Sequence, residues 1–253
     1  MHQPQKFIDL SFTLGPSGSE IMPVEIEYMG HDLGGRHLSE LVGVAQSNLP
    51  DGMAWASERV RAGTHCGTHV DAPFHYSPLC ADEPSRTIDD LPVDWFFAPA
   101  ICIKVNPDLQ LGRIGLPELE EAEKQLGHLI QQPNIVLFNT GAGAKYSQPE
   151  YNDCGRGLSS ELVKLLCERN VKVIGTDAWS IDPPLSEMRL ELGKSGISSL
   201  WAAHYSGRRY EFSAIERLCN LDLLPLSGFW LSCFPVKISR GSAAWVRAVA
   251  LFF

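Results

Sequence analysis

Hydrophobic positions fall into short blocks with two periods. "FIDLSFTL" (7–14) alternates apolar and polar residues and closes at Gly15-Pro16, which predicts a strand. "AICIKV" (100–105), "NIVLFNTG" (134–141) and "VKVIGTDA" (171–178) predict further strands, and "GFWLSCFPVKI" (228–238) with "AAWVRAVALFF" (243–253) predicts a closing strand pair. Helical spacing appears in "LPELEEAEKQLGHLIQQ" (116–132), where Leu119, Ala122 and Leu126 recur behind Pro117 in the first turn. It appears again in "SSELVKLLCERN" (159–170), with Ser159 or Ser160 as cap and Leu162, Leu165 and Leu166 inward. Residues 15–60 are rich in Gly, Pro and polar groups and predict long excursions, of the kind that line sites. Many strands with two or three helices predict an α/β protein with a mixed sheet. Asn139, Thr140, Gly141, Thr176 and Asp177, at strand exits, mark the open end of that sheet.

No repeat, low-complexity tract or linker divides the 253 residues, so residues 1–253 are expected to form one domain. A hydrophobic fraction of 44% supports a real core. The net charge of −9 argues against nucleic acid and anionic membranes as partners. Met1–Asp9 lacks the basic-then-apolar pattern of a secretory signal, and no apolar run reaches the ~18–20 residues of a spanning helix. Seven cysteines without a CxxC pair read as reduced thiols of a cytoplasmic protein, Cys66 among them as a small filler.

Chemistry concentrates in one place. "HCGTHVDAPFHY" (65–76) holds three of the chain's 8 histidines together with an aspartate. His65, His69, Asp71 and His75 are the residue types preferred by zinc and similar divalent ions. Gly67, Thr68, Val70 and Pro73 resist a helix. A straight strand would put His65 roughly 20 Å from Asp71 at ~3.3 Å per residue, whereas ligand atoms must approach a metal within ~2.0–2.2 Å. The chain must therefore fold back, most cheaply at Gly67. Pro73 restricts Ala72 to an extended shape and aims His75 at a separate position.

The string His65-Cys66-Gly67-Thr68-His69-Val70-Asp71-Ala72-Pro73-Phe74-His75 resembles the HxGTHxDxPxH signature of the metal-dependent cyclase-like hydrolase family, which includes bacterial kynurenine formamidase and isatin hydrolase. "VKVIGTDAWSIDPP" (171–184) and "FPVKISRGSAAWVRAVAL" (234–251) are similar to the family's strand-plus-loop segment and C-terminal strand pair. The resemblance covers most of residues 7–253 and is weakest over 15–60. It implies a swivelling β/β/α-type fold, metal binding by His65, His69 and Asp71, and proton transfer by His75. A second metal in formamidase relatives implies His204 and Glu216, twelve residues apart in "HYSGRRYEFSAIERL", with Asp71 bridging. Glu216 itself lies in a helix-like run with Ile215 and Leu218, which read alone is an exposed helical carboxylate.

The implied chemistry is hydrolysis of an amide, lactam, formamide or lactone of a small metabolite. One or two divalent ions, zinc or manganese, would acidify water, and His75 would shuttle the proton. The alternative is a non-hydrolytic cyclase or dehydratase, or a metal-dependent binding protein. His31 and His37, in a Gly-rich loop, are candidates to touch substrate, and Tyr76 and Trp179 are candidates to wall an aromatic pocket. Asp177 and Asp182 are expected to hold loop backbone. "GAGAK" (141–145) lacks the spacing of a phosphate loop, and no GxSxG motif is present. A homodimer or larger homo-oligomer is expected from the relatives.

Overall fold

The computed structural model describes residues 3–17, 20, 22–106, 112–132 and 135–253; Asn134, the first residue of the predicted strand 134–141, lies outside them. In chain order the elements are β1 (Lys6–Asp9), β2 (Glu25–Met29), α1 (His31–Val42), β3 (Ser57–Arg61), β4 (His69–Asp71), α2 (Pro73–Tyr76), β5 (Leu79–Cys80), β6 (Glu83–Pro84), β7 (Phe97–Lys104) and α3 (Leu116–Leu126). There follow β8 (Ile135–Asn139), α4 (Ser160–Glu168), β9 (Val173–Thr176), α5 (Leu185–Ser195), α6 (Ala202–Tyr205), β10 (Ser213–Glu216), β11 (Phe229–Ser232), β12 (Ala243–Trp245) and β13 (Val249–Phe252).

One mixed sheet of nine strands organises the molecule, in the order β1-β13-β11-β7-β8-β9-β10-β4-β12. The neighbours from β7 through β10 are parallel, and the strands on either side of that block are antiparallel. The sheet cannot lie flat. β12 and β13 are seven strand positions apart, about 34 Å at ~4.8 Å per strand, yet three residues join them, which reach at most ~14 Å. The sheet therefore curls until its ends meet. Contacts across the seam include Cys219 N–H to the Leu10 carbonyl (2.9 Å) and Phe12 N–H to the Thr68 hydroxyl (3.0 Å).

The curl creates two apolar layers. Leu137, Val173, Ile215, Leu231, Ala244 and Ala250 point inside with Phe96 and Phe229. Val136, Phe138 and Ile174 point outward beneath Leu119 of α3 and Leu162 and Leu166 of α4. β8 is thus buried on both faces, which is why "IVLF" reads as a continuous apolar run. Ser159 is the cap of α4, accepting the Leu162 N–H (3.2 Å), and α3 stops at Gly127 in the left-handed region. The predicted closing pair is present as β11 and β13, and the start of the 243–253 block crosses the sheet to pair with β4 as β12.

Three expectations are corrected. Residues 15–60 are not only excursions: β2 and β3 pair along their lengths, and α1 lies between them in the chain. His31 and His37 accordingly belong to a helix. Its Gly34-Gly35 pair looked like loop, but the pair serves close backbone approach: a Cβ at Gly34 would fall 1.8 Å from the Trp55 carbonyl oxygen, and one at Gly35 2.1 Å from that of Gly52. Among the described residues, four helices of nine to twelve residues and two single turns replace the two or three predicted. Finally, Glu216 ends a buried strand, not an exposed helix. No helix among the described residues is long and apolar enough to cross a membrane.

Gly34→Ala should therefore lower the midpoint of urea unfolding. In an open helix the same change raises stability by about 1 kcal/mol, so a raised midpoint would contradict the packing of α1 on residues 52–55.

Candidate metal centre

β4 is the base of the site. Alternation along the strand puts Val70 in the inner core and sends His69 and Asp71 to the opposite face. The antiparallel partner β10 sets Glu216 opposite His69 and Ala214 opposite Asp71, so Glu216 emerges on the same face. The chain reverses before β4 at Gly67, whose φ of +59° lies in the left-handed region, and this reversal returns His65 toward Asp71. After β4, Ala72 is extended (ψ 156°) and Pro73 opens the single turn α2, which carries His75 back over the strand. α6 brings His204 in from a third direction.

Six predicted residues converge. His65 Nδ1 lies 2.8 Å and His69 Nε2 3.4 Å from Asp71 Oδ1. His204 Nε2 lies 3.6 Å and His75 Nε2 4.0 Å from Asp71 Oδ2. Glu216 closes the ring, 3.6 Å from His69 Nε2 and 3.5 Å from His204 Nε2. Donor atoms of His65, Asp71 and His75, and separately of His69, Asp71 and Glu216, are mutually within 4.8 Å. Asp71 thus faces two sets of donors.

These groups fit a divalent cation. His69 Nε2 and both Asp71 oxygens are buried with no hydrogen-bond partner, so their lone pairs converge on common points and not on one another's protons. The second ring nitrogens fix this. His69 Nδ1 donates to the Gly67 carbonyl (2.9 Å), and His204 Nδ1 donates to Asp182 Oδ2 (2.7 Å), which turns each Nε2 lone pair to the centre. His65 Nε2 meets the Ser242 hydroxyl (3.0 Å), leaving Nδ1 inward. Asp182 also accepts the backbone N–H groups of Ala203 and His204, so it holds loop backbone as expected and orients His204 as well. Asp177 ties strand ends together, accepting from Thr140 and Gly143.

The substrate-side candidates are placed differently. His31 is exposed at the start of α1, with Nδ1 on the Ala54 carbonyl (2.7 Å). Tyr76 is buried beneath the site, stacked on Phe212 and edge-on to His204, so it supports the centre and does not wall a pocket. Trp179 packs over the Arg217 guanidinium at 4.9 Å. The aromatic that does reach the centre is Trp201. Its ring stacks on His204 (4.4 Å, 13°) and stands edge-on to His75 (5.3 Å). Its φ of +52° is strained for a bulky residue. An aromatic three residues before a candidate ligand was the available signal; nothing in "SRGSAAW" singled out Ser242.

The model of the Cyclase family, described as "Putative cyclase", matches residues 8–183. The chain belongs to this family. Among curated relatives of this Cyclase member, the kynurenine formamidase of Salinibacter ruber is 30% identical over 199 residues, covering 75% of this chain and 77% of the relative. That of Bacillus anthracis is 27% identical over 185 residues, covering 73% and 75%. Among solved structures, isatin hydrolase A from Labrenzia aggregata, bound to benzyl benzoate, shares the fold with a TM-score of 0.77 at 22% identity, covering 98% of this chain and 93% of that one. Isatin hydrolase A from Ralstonia solanacearum gives 0.75 at 25% identity, covering 98% and 92%. The enzyme class expected from the sequence, a hydrolase of non-peptide C–N bonds, is the class these relatives' names describe.

Electrostatics in the Cyclase centre follow from burial and crowding. Burial favours a neutral Asp71, but the imidazoles of His75, His204, His65 and His69 overcome it and hold the carboxyl well below its usual range. Burial and then the Asp71 charge push Glu216 up. Burial pulls His75 down, neighbouring imidazoles add to this against the attraction of Asp71, and the ring titrates at about 4. Burial also opposes a charged His204, but the hydrogen bond to Asp182 and the neighbouring Asp71 and Glu216 carboxylates lift it to about 10. His75 is therefore neutral at pH 7, while the cation-free centre keeps a proton on His204.

A divalent ion held by His204 would displace that proton. Loading the cation-free protein with Zn²⁺ at pH 7 should release protons, that of His204 among them. Titration calorimetry in two buffers of different ionisation enthalpy reads this directly; identical heats in both would contradict it.

Proposed function

We propose that this enzyme hydrolyses the C–N bond of a formamide or cyclic amide of a small metabolite, at one or two divalent cations, zinc or manganese. The observation that carries the proposal is Asp71: a fully buried carboxylate whose two oxygens lack hydrogen-bond partners and face two sets of inward-turned donors. His65, His69 and Asp71 would hold the first cation, and Asp71, His204 and Glu216 the second. The relatives named kynurenine formamidase and isatin hydrolase support an amide substrate.

When bound, the cation supplies Lewis acidity, polarising the carbonyl and acidifying water. The protein supplies the rest. Exposure is graded: His65 and His75 side chains are 32% and 26% accessible, while His69, Asp71 and His204 are at 2% or less. Substrate therefore approaches from the His65–His75 side. His75 Nε2, neutral at pH 7, takes the proton of the attacking water and returns it to the departing nitrogen. Trp201 packs against both His204 and His75 and keeps bulk water from that flank. All seven cysteines are free, which supports a reducing, cytoplasmic setting.

Two variants and a substrate panel test the reading. Proton release on mixing Zn²⁺- or Mn²⁺-loaded protein with formamides, lactams and lactones should be sustained, because ring opening or deformylation yields an acid; a single stoichiometric burst would leave only binding. His75→Ala should keep its metal content and lose turnover by ~10²-fold or more. Full activity in that variant would remove His75 from the reaction. In elemental analysis, Glu216→Ala should retain one cation fewer than the parent if Glu216 completes a second position, and an unchanged count would exclude it as a ligand.

A further inference from the structure

The segment before β2 carries a buried acid that the centre described above does not use. Glu20 and Arg217 form an ion pair whose side chains are only 4% and 5% accessible, 2.5 Å apart. Burying two charges is costly unless geometry and further hydrogen bonds offset it, so what the pair touches is informative. Glu20 Oε1 accepts the N–H of Gly67 (2.8 Å), the left-handed residue at which the ligand turn reverses. The carbonyl of that same Gly67 fixes the His69 ring. Arg217 directly follows Glu216. Its Nε donates to the Trp179 carbonyl (3.3 Å), and its own carbonyl accepts the Thr68 hydroxyl (2.5 Å). One carboxylate thus ties the His65–His69 turn to the strand end bearing Glu216. Apolar contacts follow the same path: a Cβ at Gly67 would meet Leu14 at 3.3 Å, and one at Gly63 would meet Met22 at 2.9 Å.

We infer that Glu20 is a positioning residue of the metal centre, and that its bonds to Gly67 and Arg217 hold the ligand turn in its cation-binding shape. Glu20 touches neither cation nor substrate; it acts on His69 through the Gly67 peptide and on Glu216 through Arg217. The inference rests on the metal-centre reading above.

The test is cation affinity, measured with Zn²⁺ against a fluorescent chelator. It is run on the full chain at a temperature where circular dichroism shows each variant folded. Glu20→Gln keeps the shape and one acceptor but not the charge, and Glu20→Ala removes both. Removing an outer partner of a ligand commonly weakens metal binding 10–100-fold. Glu20→Ala should fall in that range, with Glu20→Gln weakened less. Arg217→Met should weaken binding too, and the double variant Glu20→Ala/Arg217→Met should lose less than the product of the two single losses, because both disable one lock. A purely structural pair would lower the melting temperature and leave affinity unchanged below it. Unchanged affinity in both single variants, with normal uptake by the parent, would overturn the positioning role. Absence of uptake by the parent would instead overturn the metal centre.

Discussion

Asp71 imposes the constraint on which the rest of the site depends. Its carboxylate is completely buried in the middle strand of a three-strand antiparallel edge, yet neither oxygen receives a hydrogen bond. Isolated burial of that kind would cost several kcal/mol and would raise the carboxyl's pKa. The pKa is held down instead, by imidazoles arriving from four separate stretches of backbone geometry: a left-handed turn, the strand itself, a proline-started turn and the short helix α6. Once a cation takes the place of the ring protons, Asp71 and Glu216 offer it a concentrated negative charge walled by nitrogen lone pairs. A small, doubly charged ion satisfies that arrangement; water, which would need donors and acceptors in balance, does not.

The curl of the sheet is what makes the arrangement possible. Five of the six convergent groups come from chain positions 65–75 and 204, and the sixth comes from 216. They meet because β10 returns antiparallel to β4 with a register that sets Glu216 against His69. On the far side, β12 covers the other edge of β4, and the residue just before it, Ser242, reaches His65. A flat sheet would leave β4 exposed at that edge and His65 without a partner. The closure that joins β12 to β13 in three residues therefore serves the site as much as the core.

Much of this was legible in the sequence, for identifiable reasons. The strands β7, β8 and β9 announced themselves as apolar runs, since a strand covered on both faces has no polar positions to interleave. The ligand turn was legible because ligand distances and strand rise are incompatible without a reversal, and Gly67 was the place for one. Less was legible wherever tertiary contact overrode local pattern. Gly34-Gly35 signalled a loop because glycine is a poor helix former, yet the requirement there is two carbonyls pressed against the helix. Ile215 and Leu218 mimicked helical spacing, although one belongs to a strand buried on both faces and the other to the turn beyond it. Tyr76, adjacent to His75, looked like a pocket wall; the single turn α2 rotates it into the core while His75 faces out.

The division of labour among the four histidines around Asp71 can be argued from their second nitrogens. His65 is tied to Ser242, His69 to the Gly67 carbonyl and His204 to Asp182. Each is locked in one ring orientation with one inward lone pair, as a metal ligand requires. Among the described residues, no such anchor holds the ring of His75; its polar neighbour is Asp71 Oδ2 at 4.0 Å. A ring without an anchor is a poor ligand, since the entropy of fixing it falls on the metal bond. It suits a group that must accept a proton at one moment and surrender it the next. The partial exposure of His75, shared with His65 and unlike that of His69, Asp71 and His204, suits this role: a proton carrier has to meet both the water it deprotonates and the nitrogen it protonates.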